Sequence, residues 1–552
     1  METLRLIPEP KSVERLGGRC GRLALEREPK VVNDSAFAGE AYRLELGADG
    51  VRIAAGTDEG VFRARQTLAQ LKAQVAADGS LPSLCIEDAP AFRHRGVLMD
   101  ISRGRVPRPE RLKRRLALLA AMKINHVQLY FEHPFAFAFD PDIAGEDAYG
   151  PDVVRDLDDF CQALHIELVP CFTCFGHLGK ILSLPQYRAL AEVEFPAADW
   201  AGATFLQRLH GATVNPDHPG TLALFEKLLG EFLPCFTAGT FNLCGDETYE
   251  LGAHLGQPTS AGLGELYARH VRNIAGIAKK HGKSVMLWGD MLRKHPEAIG
   301  QLPDGATVLD WAYFPSNDFT RCRQFAEAGV PFWTCPSTRG FGMLFNRVPE
   351  AAEVIRRQVD AASAFGGEGI LNTDWGDFGH FNMPAASLHP LALGAALAWN
   401  PKTSDGDFDA AFTRFFHSAE WAREAGALPV RAAVSPFAPV HPRLPEEARV
   451  SLTRDIAEST AQMAGRLAAA FGGAARTEGF DDTDARQLAL ALRMVEFAAR
   501  CDGGMLAGAA AIERLDALEK AYVPLWFEES LPRGVLDVHA RIFAPLRKGL
   551  GD

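Results

Sequence analysis

The sequence lacks a long hydrophobic run, an excess of basic residues and an ordered set of cysteines. No stretch approaches the roughly 20 apolar residues that a membrane-spanning helix needs. The net charge of −12 over 552 residues argues against a nucleic-acid partner, since phosphate binding requires clustered Lys and Arg. The one basic cluster, Arg103–Arg115, is interpreted as a loop followed by a helix face. We therefore expect neither a membrane span nor nucleic-acid binding.

The ten cysteines form no disulfide framework. They are scattered and lie mostly within apolar runs, which is typical of reduced, buried thiols. Cys171 and Cys174 form a Cys-x-x-Cys pair, but no second pair or nearby His-x-His completes a zinc site. Residues Met1–Pro10 contain no uninterrupted apolar segment of the kind found in a secretory signal. We predict a cytoplasmic location and expect no metal or cofactor.

What the sequence does contain falls into three regions, which we predict to be domains at residues 1–90, 91–400 and 401–552. The first region combines short alternating runs with one helical stretch, Gly60–Ala76, which predicts a small α+β domain with an antiparallel sheet. Its strand candidates are Leu4–Pro8, Ala41–Leu46, Gly50–Ala54 and Leu84–Glu87. The third region has helical periodicity at 408–424, 443–472, 483–513 and 515–521, so we expect a helical domain that could supply a homodimer interface.

The middle region alternates short apolar runs with amphipathic helical stretches. The eight strand candidates are Gly96–Asp100, His126–Glu132, Glu167–Phe172, Thr240–Gly245, Ser284–Gly289, Thr307–Trp311, Val330–Cys335 and Gly369–Thr373. Eight β-then-α units over about 310 residues predict a (β/α)8 barrel, which is within the usual size of that fold. A doubly wound open sheet is the competing layout, but no GxGxxG or P-loop follows the first strand.

In such a barrel the active groups come from the C-terminal ends of the strands. In chain order those ends are Asp100–Arg103, Glu132–His133, Gly176–His177, Asp246–Glu247, Trp288–Asp290, Trp311–Tyr313, Pro336–Arg339 and Asp374–Asp377. Acids and tryptophans dominate these segments. Indole faces stack on the apolar faces of pyranose rings, while carboxylates accept hydrogen bonds from sugar hydroxyls. The combination predicts a binding site for a neutral carbohydrate.

Two adjacent acids, Asp246 and Glu247, are the sharpest feature. Neighbours in a strand point to opposite faces, but at a strand end the backbone turns and both can reach one pocket. Crowding two carboxylates would raise the pKa of one of them and supply a general acid near neutral pH. The alternative is that the pair caps the N-terminus of the following helix. Spacing alone does not choose between these two interpretations.

The segment Phe241–Glu247 resembles the catalytic motif of glycoside hydrolase family 20, the exo-β-N-acetylhexosaminidases, usually written His-x-Gly-Gly-Asp-Glu. The segment Phe92–Arg103 is similar to that family's first barrel strand, Phe-x-x-Arg-Gly-x-x-Leu-Asp-x-Ser-Arg. Gly176-His177 resembles the Pro-Gly-His after the third strand, and Trp375–Asp377 resembles the Trp-x-Glu or Trp-x-Asp after the eighth. The four motifs occur in the family's order, and the similarity spans about residues 1–400.

The resemblance implies substrate-assisted catalysis, an exception to the two-carboxylate rule for glycosidases. The 2-acetamido oxygen of the sugar attacks the anomeric carbon and forms an oxazolinium ion. Glu247 would be the general acid and then the base that activates water, while Asp246 would hold and orient the acetamide N–H. The two acids can be neighbours because they act around one sugar whose nucleophile is already tethered.

Further roles are implied by the same resemblance. Arg95 would bind the O3 and O4 hydroxyls, although an ion pair with Asp100 or another strand-end acid is an alternative, and Asp377 would bind O4 or O6. His177 would belong to a polar network behind Glu247. The subsite walls would be Trp288, Trp311 and Trp375, the first two around the acetamide methyl and the third under the ring.

The chain departs from the family pattern at several positions. Asn242 and Cys244 replace the usual His and first Gly, and Glu132 stands where the family has Asp-Asp after the second strand. The Tyr that normally binds the acetamide oxygen after the seventh strand is missing, and Tyr313 is our candidate for that role. These differences place the chain in a divergent branch.

Two other functions remain open at this stage. The first is another acetamido-assisted glycosidase, such as an O-GlcNAc hydrolase or a chitinase-like endo-enzyme. An endo-enzyme would need an open cleft, and the Asp-x-x-Asp-x-Asp-x-Glu motif of chitinases is absent. A catalytically dead sugar-binding barrel would have no reason to keep both Asp246 and Glu247. The sequence does not choose between N-acetylglucosamine and N-acetylgalactosamine.

Overall fold

The computed structural model describes residues 4–76, 78–197, 200, 203, 205–208, 211–256, 259–429 and 453–551. Its strands are β1 (Ser12–Gly21), β2 (Lys30–Asn33), β3 (Tyr42–Gly47), β4 (Gly50–Ala55), β5 (Ser80–Asp88), β6 (His94–Asp100), β7 (His126–Phe131), β8 (Glu167–Phe172), β9 (Thr240–Asn242), β10 (Ser284–Trp288), β11 (Thr307–Trp311), β12 (Phe332–Cys335) and β13 (Gly369–Asp374).

Its helices are α1 (Arg22–Glu26), α2 (Asp58–Lys72), α3 (Pro109–Ala121), α4 (Pro151–Ala163), α5 (Gly179–Leu182), α6 (Phe205–Arg208), α7 (Pro219–Phe232), α8 (Ser260–Lys280), α9 (Asp290–Lys294), α10 (Arg323–Glu327), α11 (Val348–Phe365), α12 (Leu388–Trp399), α13 (Asp405–Phe415), α14 (Ala419–Ala427), α15 (Arg454–Gly473), α16 (Asp482–Asp502), α17 (Gly508–Glu529), α18 (Gly534–Val538) and α19 (Ala544–Gly551).

The N-terminal part is a five-stranded sheet in the order β1-β5-β3-β4-β2. Its central strand β3 alternates buried and half-buried residues, and α2 packs on the sheet through Ala64, Leu68 and Leu71. The small α+β domain is therefore confirmed, but its sheet is mixed rather than antiparallel throughout, because β2 pairs with β4 in parallel. The expected strand at Leu4–Pro8 is wrong, because the Arg5 and Ile7 N–H groups donate to the side chains of Gln74 and Gln70 rather than to a neighbouring strand.

The eight strands β6 to β13 close a parallel barrel in chain order, with β13 hydrogen-bonded back to β6. The (β/α)8 barrel is confirmed, and each strand candidate overlaps an observed strand. Strands β7 and β13 are buried along their whole length, as parallel strands covered on both faces must be. One apolar cluster fills the space between strands and helices, and a smaller cluster fills the barrel interior.

The C-terminal part is helical, as expected, and it shares the apolar cluster that surrounds the barrel. The predicted stretch 443–472 corresponds to α15 from Arg454 onward, while its first ten residues lie outside the described residues. The predicted stretch 483–513 is interrupted, because α16 ends at Asp502 and α17 begins only at Gly508. Among the residues that the structure describes, no helix is long and apolar enough to cross a membrane.

Candidate active site

A cavity of about 200 Å³ opens at the C-terminal ends of the barrel strands. Its lining combines acids, one arginine, one histidine and a set of aromatic rings: Arg103, His177, Asp246, Glu247, Trp288, Trp311, Tyr313, Phe314, Phe341, Trp375 and Asp377. Eight of the ten residues proposed from the sequence therefore line one cavity. Phe314, Phe341 and Arg103 line it as well and were not proposed.

The loop that carries Asp246 and Glu247 is held in an unusual conformation. Cys244 and Glu247 have positive φ angles of 61° and 48°, a region that non-glycine residues seldom adopt. A Cβ on Gly176 would lie 2.4 Å from the carbonyl oxygen of Asp246, so only glycine allows the neighbouring loop to approach this closely. Strain of this kind is common at active sites and persists where the surrounding structure enforces it.

Asp246 and Glu247 do not cap a helix. The next α-helix, α8, begins at Ser260, and its N-terminus is capped by the side chain of Thr259. The Glu247 N–H donates 3.0 Å to Oδ2 of Asp290, the first residue of α9. The second of the two interpretations of this acidic pair is therefore excluded by the structure.

His177 lies between the two acids. Its Nε2 is 3.4 Å from Asp246 Oδ2 and 3.4 Å from Glu247 Oε2. Burial alone would lower the pKa of His177, but the two acids outweigh it and raise the pKa well above the ordinary value of 6.5. Burial raises the pKa of Glu247, yet contact with His177 dominates and holds it at about 2. The expectation that crowding raises a pKa within the pair is thus wrong for Glu247.

Burial raises the pKa of Asp377 and Glu132, and a further raised carboxyl pKa belongs to Asp290, which was not proposed as a site residue from the sequence. Burial and the charge of Asp246 raise the pKa of Asp290 to about 7. Asp246 itself keeps one oxygen, Oδ1, buried without a hydrogen-bond partner. A buried carboxylate oxygen without a donor is costly, which makes Asp246 Oδ1 a strong acceptor for a ligand N–H or O–H.

The aromatic side of the cavity is built from packed rings. The rings of Trp311 and Tyr313 stack with their centroids 5.0 Å apart, and those of Trp288 and Trp375 are 6.0 Å apart. The Trp375 Nε1–H donates 2.8 Å to the Tyr313 hydroxyl oxygen. Since an indole N–H can only donate, the Tyr313 hydroxyl accepts here.

The polar side of the cavity centres on Arg103. Its guanidinium lies 3.1 Å from Asp377 Oδ1, 3.2 Å from Glu132 Oε1 and 3.3 Å from Asp100 Oδ2. Glu132 does not line the sugar-sized cavity but borders a small adjoining one together with Arg103 and His177. Arg103 was present in the sequence motif at the correct end of its strand, so strand position could have identified it.

Arg95 is not part of the cavity, and its proposed contact with sugar hydroxyls is a wrong prediction. It is the second residue of β6, and five residues at about 3.3 Å each separate it from the strand's C-terminal end. Its fully buried guanidinium donates 2.7 Å to both carboxylate oxygens of Glu40 and 2.9 Å to the carbonyl oxygens of Lys123 and Phe92. The alternative ion pair thus forms, but with an acid of the N-terminal sheet domain rather than with Asp100.

The arrangement can bind a small polar ligand between rings, move a proton between His177 and Glu247, and accept an N–H at Asp246. In the described part of the chain, no group of three or more His, Cys, Asp or Glu side chains is arranged to hold a metal ion.

Curated relatives cover this chain in part. Human Hexosaminidase D is 23% identical over 342 residues, which are 58% of this chain and 67% of that protein. A Beta-hexosaminidase from Akkermansia muciniphila is 24% identical over 263 residues, 44% of this chain and 51% of that protein. The chain thus spans between about half and two thirds of the length of these two relatives.

Among solved structures, the Streptomyces plicatus N-acetyl-beta-hexosaminidase in complex with Thio-NAglucal superposes with a TM-score of 0.60 at 19% identity. The match covers 74% of this chain and 94% of that one, and at this identity it supports the fold alone. The sequence model for "Glycosyl hydrolase family 20, domain 2" matches residues 21–89, and that for "Glycosyl hydrolase family 20, catalytic domain" matches residues 92–341. The chain belongs to glycosyl hydrolase family 20.

Proposed function

We propose that this chain is a retaining exo-β-N-acetylhexosaminidase. It removes terminal, non-reducing β-linked N-acetylglucosamine or N-acetylgalactosamine by substrate-assisted catalysis. The observation that carries the proposal is the buried Oδ1 of Asp246, which has no hydrogen-bond partner in a cavity wall that also contains Glu247 and three tryptophans. Family membership and relatives that bear the name β-hexosaminidase support the same activity.

The acetamido group of the sugar supplies the nucleophile. Its N–H donates to Asp246, which orients the group and stabilises the positive charge that develops on nitrogen as the acetamide oxygen attacks the anomeric carbon. Tyr313 lines the same cavity, and in this assignment its hydroxyl donates to the acetamide oxygen of the bound sugar. Trp288 and Trp311 enclose the acetamide methyl, and Trp375 lies under the ring.

Glu247 transfers the proton in both steps. Without a sugar, contact with His177 lowers the pKa of Glu247 to about 2, which favours the proton on His177. A sugar that excludes water from the cavity raises the pKa of Glu247, and the proton of His177 is only 3.4 Å away. Glu247 then protonates the leaving oxygen, and as a carboxylate it removes a proton from the water that opens the oxazolinium ion.

The small cavity favours an exo-enzyme over an endo-enzyme. Its volume of about 200 Å³ is below the roughly 300–1,000 Å³ of sites for drug-sized ligands, so it suits one sugar unit. In this assignment Arg103 and Asp377 bind the hydroxyls at the non-reducing end. The function of Arg103 thus replaces the one that the sequence analysis gave to Arg95.

The proposal also covers the cellular location, the natural substrate and the oligomeric state of the protein. The ten cysteines are free and eight of them are buried, which supports a reducing compartment such as the cytoplasm. The natural substrate would be an oligosaccharide or glycoconjugate with a terminal N-acetylhexosamine, and we keep a homodimer through the C-terminal helices as a prediction.

The decisive experiment compares nitrophenyl β-glycosides of N-acetylglucosamine, N-acetylgalactosamine and glucose. We expect turnover of one or both N-acetyl sugars and none of glucose, since glucose has no acetamido nucleophile. The released sugar should keep the β configuration when followed by NMR, and a thiazoline analogue of the oxazolinium ion should inhibit competitively. Hydrolysis of the glucoside, release of the α anomer, or no turnover of either N-acetyl sugar would refute the proposal.

A further inference from the structure

The C-terminal helical region packs directly on two barrel loops that carry sugar-binding residues. One loop follows β6 and carries Arg103, and the other follows β13 and carries Asp377. The two loops are tied together at the cavity by the Arg103–Asp377 ion pair and by the Gly376 N–H, which donates 2.9 Å to Asp100 Oδ2. Arg105, which lies outside the cavity lining, forms a second set of hydrogen bonds between the two loops.

Arg105 is buried and joins three segments of the chain through one guanidinium. Toward the loop after β13, it donates to the carbonyl oxygens of His380 at 3.3 Å and Asn382 at 3.2 Å. Toward the C-terminal helices, it donates 3.0 Å to the Ser530 hydroxyl and 3.3 Å to the Tyr522 hydroxyl. Its guanidinium carbon lies 4.0 Å from the ring centroid of Trp526.

Backbone contacts show how closely these segments fit. A Cβ on Gly104 would lie 2.8 Å from the Gly379 carbonyl oxygen, and φ at Gly104 is +114°. A Cβ on Gly534, the first residue of α18, would lie 1.7 Å from the Gly104 carbonyl oxygen. Three glycines from three segments therefore meet at one point, where a side chain at Gly104 or Gly534 would force the segments apart.

The loop after β13 needs this support because its backbone is strained. Phe378 and His380 have positive φ angles of 67° and 52°, and both are non-glycine residues. Such conformations persist only where neighbouring groups enforce them. Arg105 holds the His380 and Asn382 carbonyls at the far end of this strained turn, three and five residues beyond Asp377.

We propose that Arg105 is a positioning residue through which the C-terminal helical region holds Arg103 and Asp377 in their sugar-binding arrangement. The inference rests on the proposed function and extends it, since it makes helices outside the barrel part of the substrate-binding machinery. Arg105 does not line the cavity, so it acts on the sugar only through the two loops.

The test compares Arg105→Met with Arg111→Met in the full chain. Arg111 is a matched control because it also crosses to the C-terminal helices, with contacts of 2.8 Å to Glu529 and 2.9 Å to Asp481, but no hydrogen bond joins it to either loop. We expect Arg105→Met to raise KM about tenfold with little change in kcat, since hydroxyl contacts bind ground state and transition state alike. Arg111→Met should leave KM within about twofold, and Arg105→Lys should recover part of the loss.

A double-mutant cycle separates positioning from general destabilisation. If Arg105 acts through Asp377, Arg105→Met should add little to the KM increase of Asp377→Asn, whereas independent effects would multiply. Multiplicative effects, an unchanged KM in Arg105→Met, or an equal rise in Arg111→Met would overturn the proposal.

Two further measurements keep the test decisive. If Arg105→Met does not fold, Ser530→Ala removes one acceptor of Arg105 and should raise KM about threefold; an unchanged KM would count against the inference. If the wild-type chain turns over no substrate, the proposed activity fails, and calorimetric binding of N-acetylglucosamine replaces KM. Equal affinity of wild type and Arg105→Met for that sugar would then refute the positioning role.

Discussion

An arginine that pairs with acids lies near each end of strand β6, and the comparison separates structure from function. Arg95 at the N-terminal end is fully buried and its guanidinium is satisfied by Glu40 and by backbone carbonyls. Arg103 beyond the C-terminal end faces three acids, one of which, Asp377, lines the cavity with it. The residue type is the same, but the Arg95 side chain is fully buried whereas that of Arg103 is 13% exposed, and only Arg103 lies where a ligand can reach it.

The same contrast holds for the surrounding groups. Near the N-terminal end, Lys123 Nζ lies 2.8 Å from Asp88 and 2.9 Å from the Tyr42 hydroxyl, which makes a closed network between the sheet domain and the barrel. At the other end, Asp246 Oδ1 is buried without a partner. Buried charge by itself therefore does not mark a functional site; incomplete pairing beside a cavity does.

The largest expected effect is that of Glu247→Gln. Loss of the general acid should reduce kcat by on the order of 10³ or more for glycosides with poor leaving groups, and by less for dinitrophenyl glycosides, whose leaving oxygen needs no proton. Steady-state rates across leaving groups of different pKa measure this. An equal loss for all leaving groups would show that Glu247 does not act as the acid.

Asp246→Asn should have the second largest effect, a fall in kcat of on the order of 10². The neutral amide of Asn stabilises the positive charge that develops on the acetamide nitrogen less than a carboxylate does. The loss in kcat should be similar for good and poor leaving groups. This opposite dependence on the leaving group distinguishes the two neighbours. Full activity of Asp246→Asn would mean that the acetamide is not activated at this residue.

The third prediction tests the two arginines directly. Arg103→Met should raise KM about tenfold or more, because it removes charge-assisted hydrogen bonds to the sugar. Arg95→Met should leave KM within about twofold but lower the melting temperature, since removing one partner of a buried ion pair costs about 3–5 kcal/mol. Kinetics and thermal unfolding of both variants should show this crossed pattern. An equal rise in KM for Arg95→Met and Arg103→Met would contradict the assignment of a structural role to Arg95 and a sugar-binding role to Arg103.

The smallest effect is a pH-dependent difference in stability between wild type and His177→Asn. The lowered pKa of Glu247 contributes stability that is present above pH 4.5 and is lost as pH falls toward about 2. The raised pKa of His177 contributes stability that is present below pH 6.5 and is lost as pH rises through the higher value in the folded protein. The difference in unfolding free energy between wild type and His177→Asn should therefore be largest between pH 4.5 and 6.5. Denaturant unfolding at several pH values measures this difference, and a difference that does not change with pH would contradict the prediction.

The sequence predicted the barrel because each strand buries a short apolar run and each following helix has an amphipathic face. The same method missed β1 and β2 in the sheet domain. Nine of the ten residues of β1 are exposed, so no alternating pattern was available, and β2 is an edge strand of four mostly exposed residues. Their pairing is decided by contact with β5 and β4.

The candidate site was predictable where position in a strand could be read. Trp288 ends its strand, Asp246, Glu247 and Trp375 follow theirs, and all four line the cavity. Arg95 was chosen from a motif although it lies near the start of its strand, and Arg103 in the same motif was passed over. Asp290 was missed as well, because its raised pKa depends on burial and on Asp246, which lies 44 positions earlier in the chain.

By itself, the sequence determined the barrel, the adjacent acids and the aromatic strand ends, because these depend on local periodicity and on which end of a strand a residue follows. Only the tertiary structure decided that Arg103 rather than Arg95 meets Asp377, that His177 lies between the two acids, and that Arg105 hydrogen-bonds both to the C-terminal helices and to the loop after β13. These contacts join residues from distant parts of the chain, and their energies depend on distance and burial that no local pattern encodes.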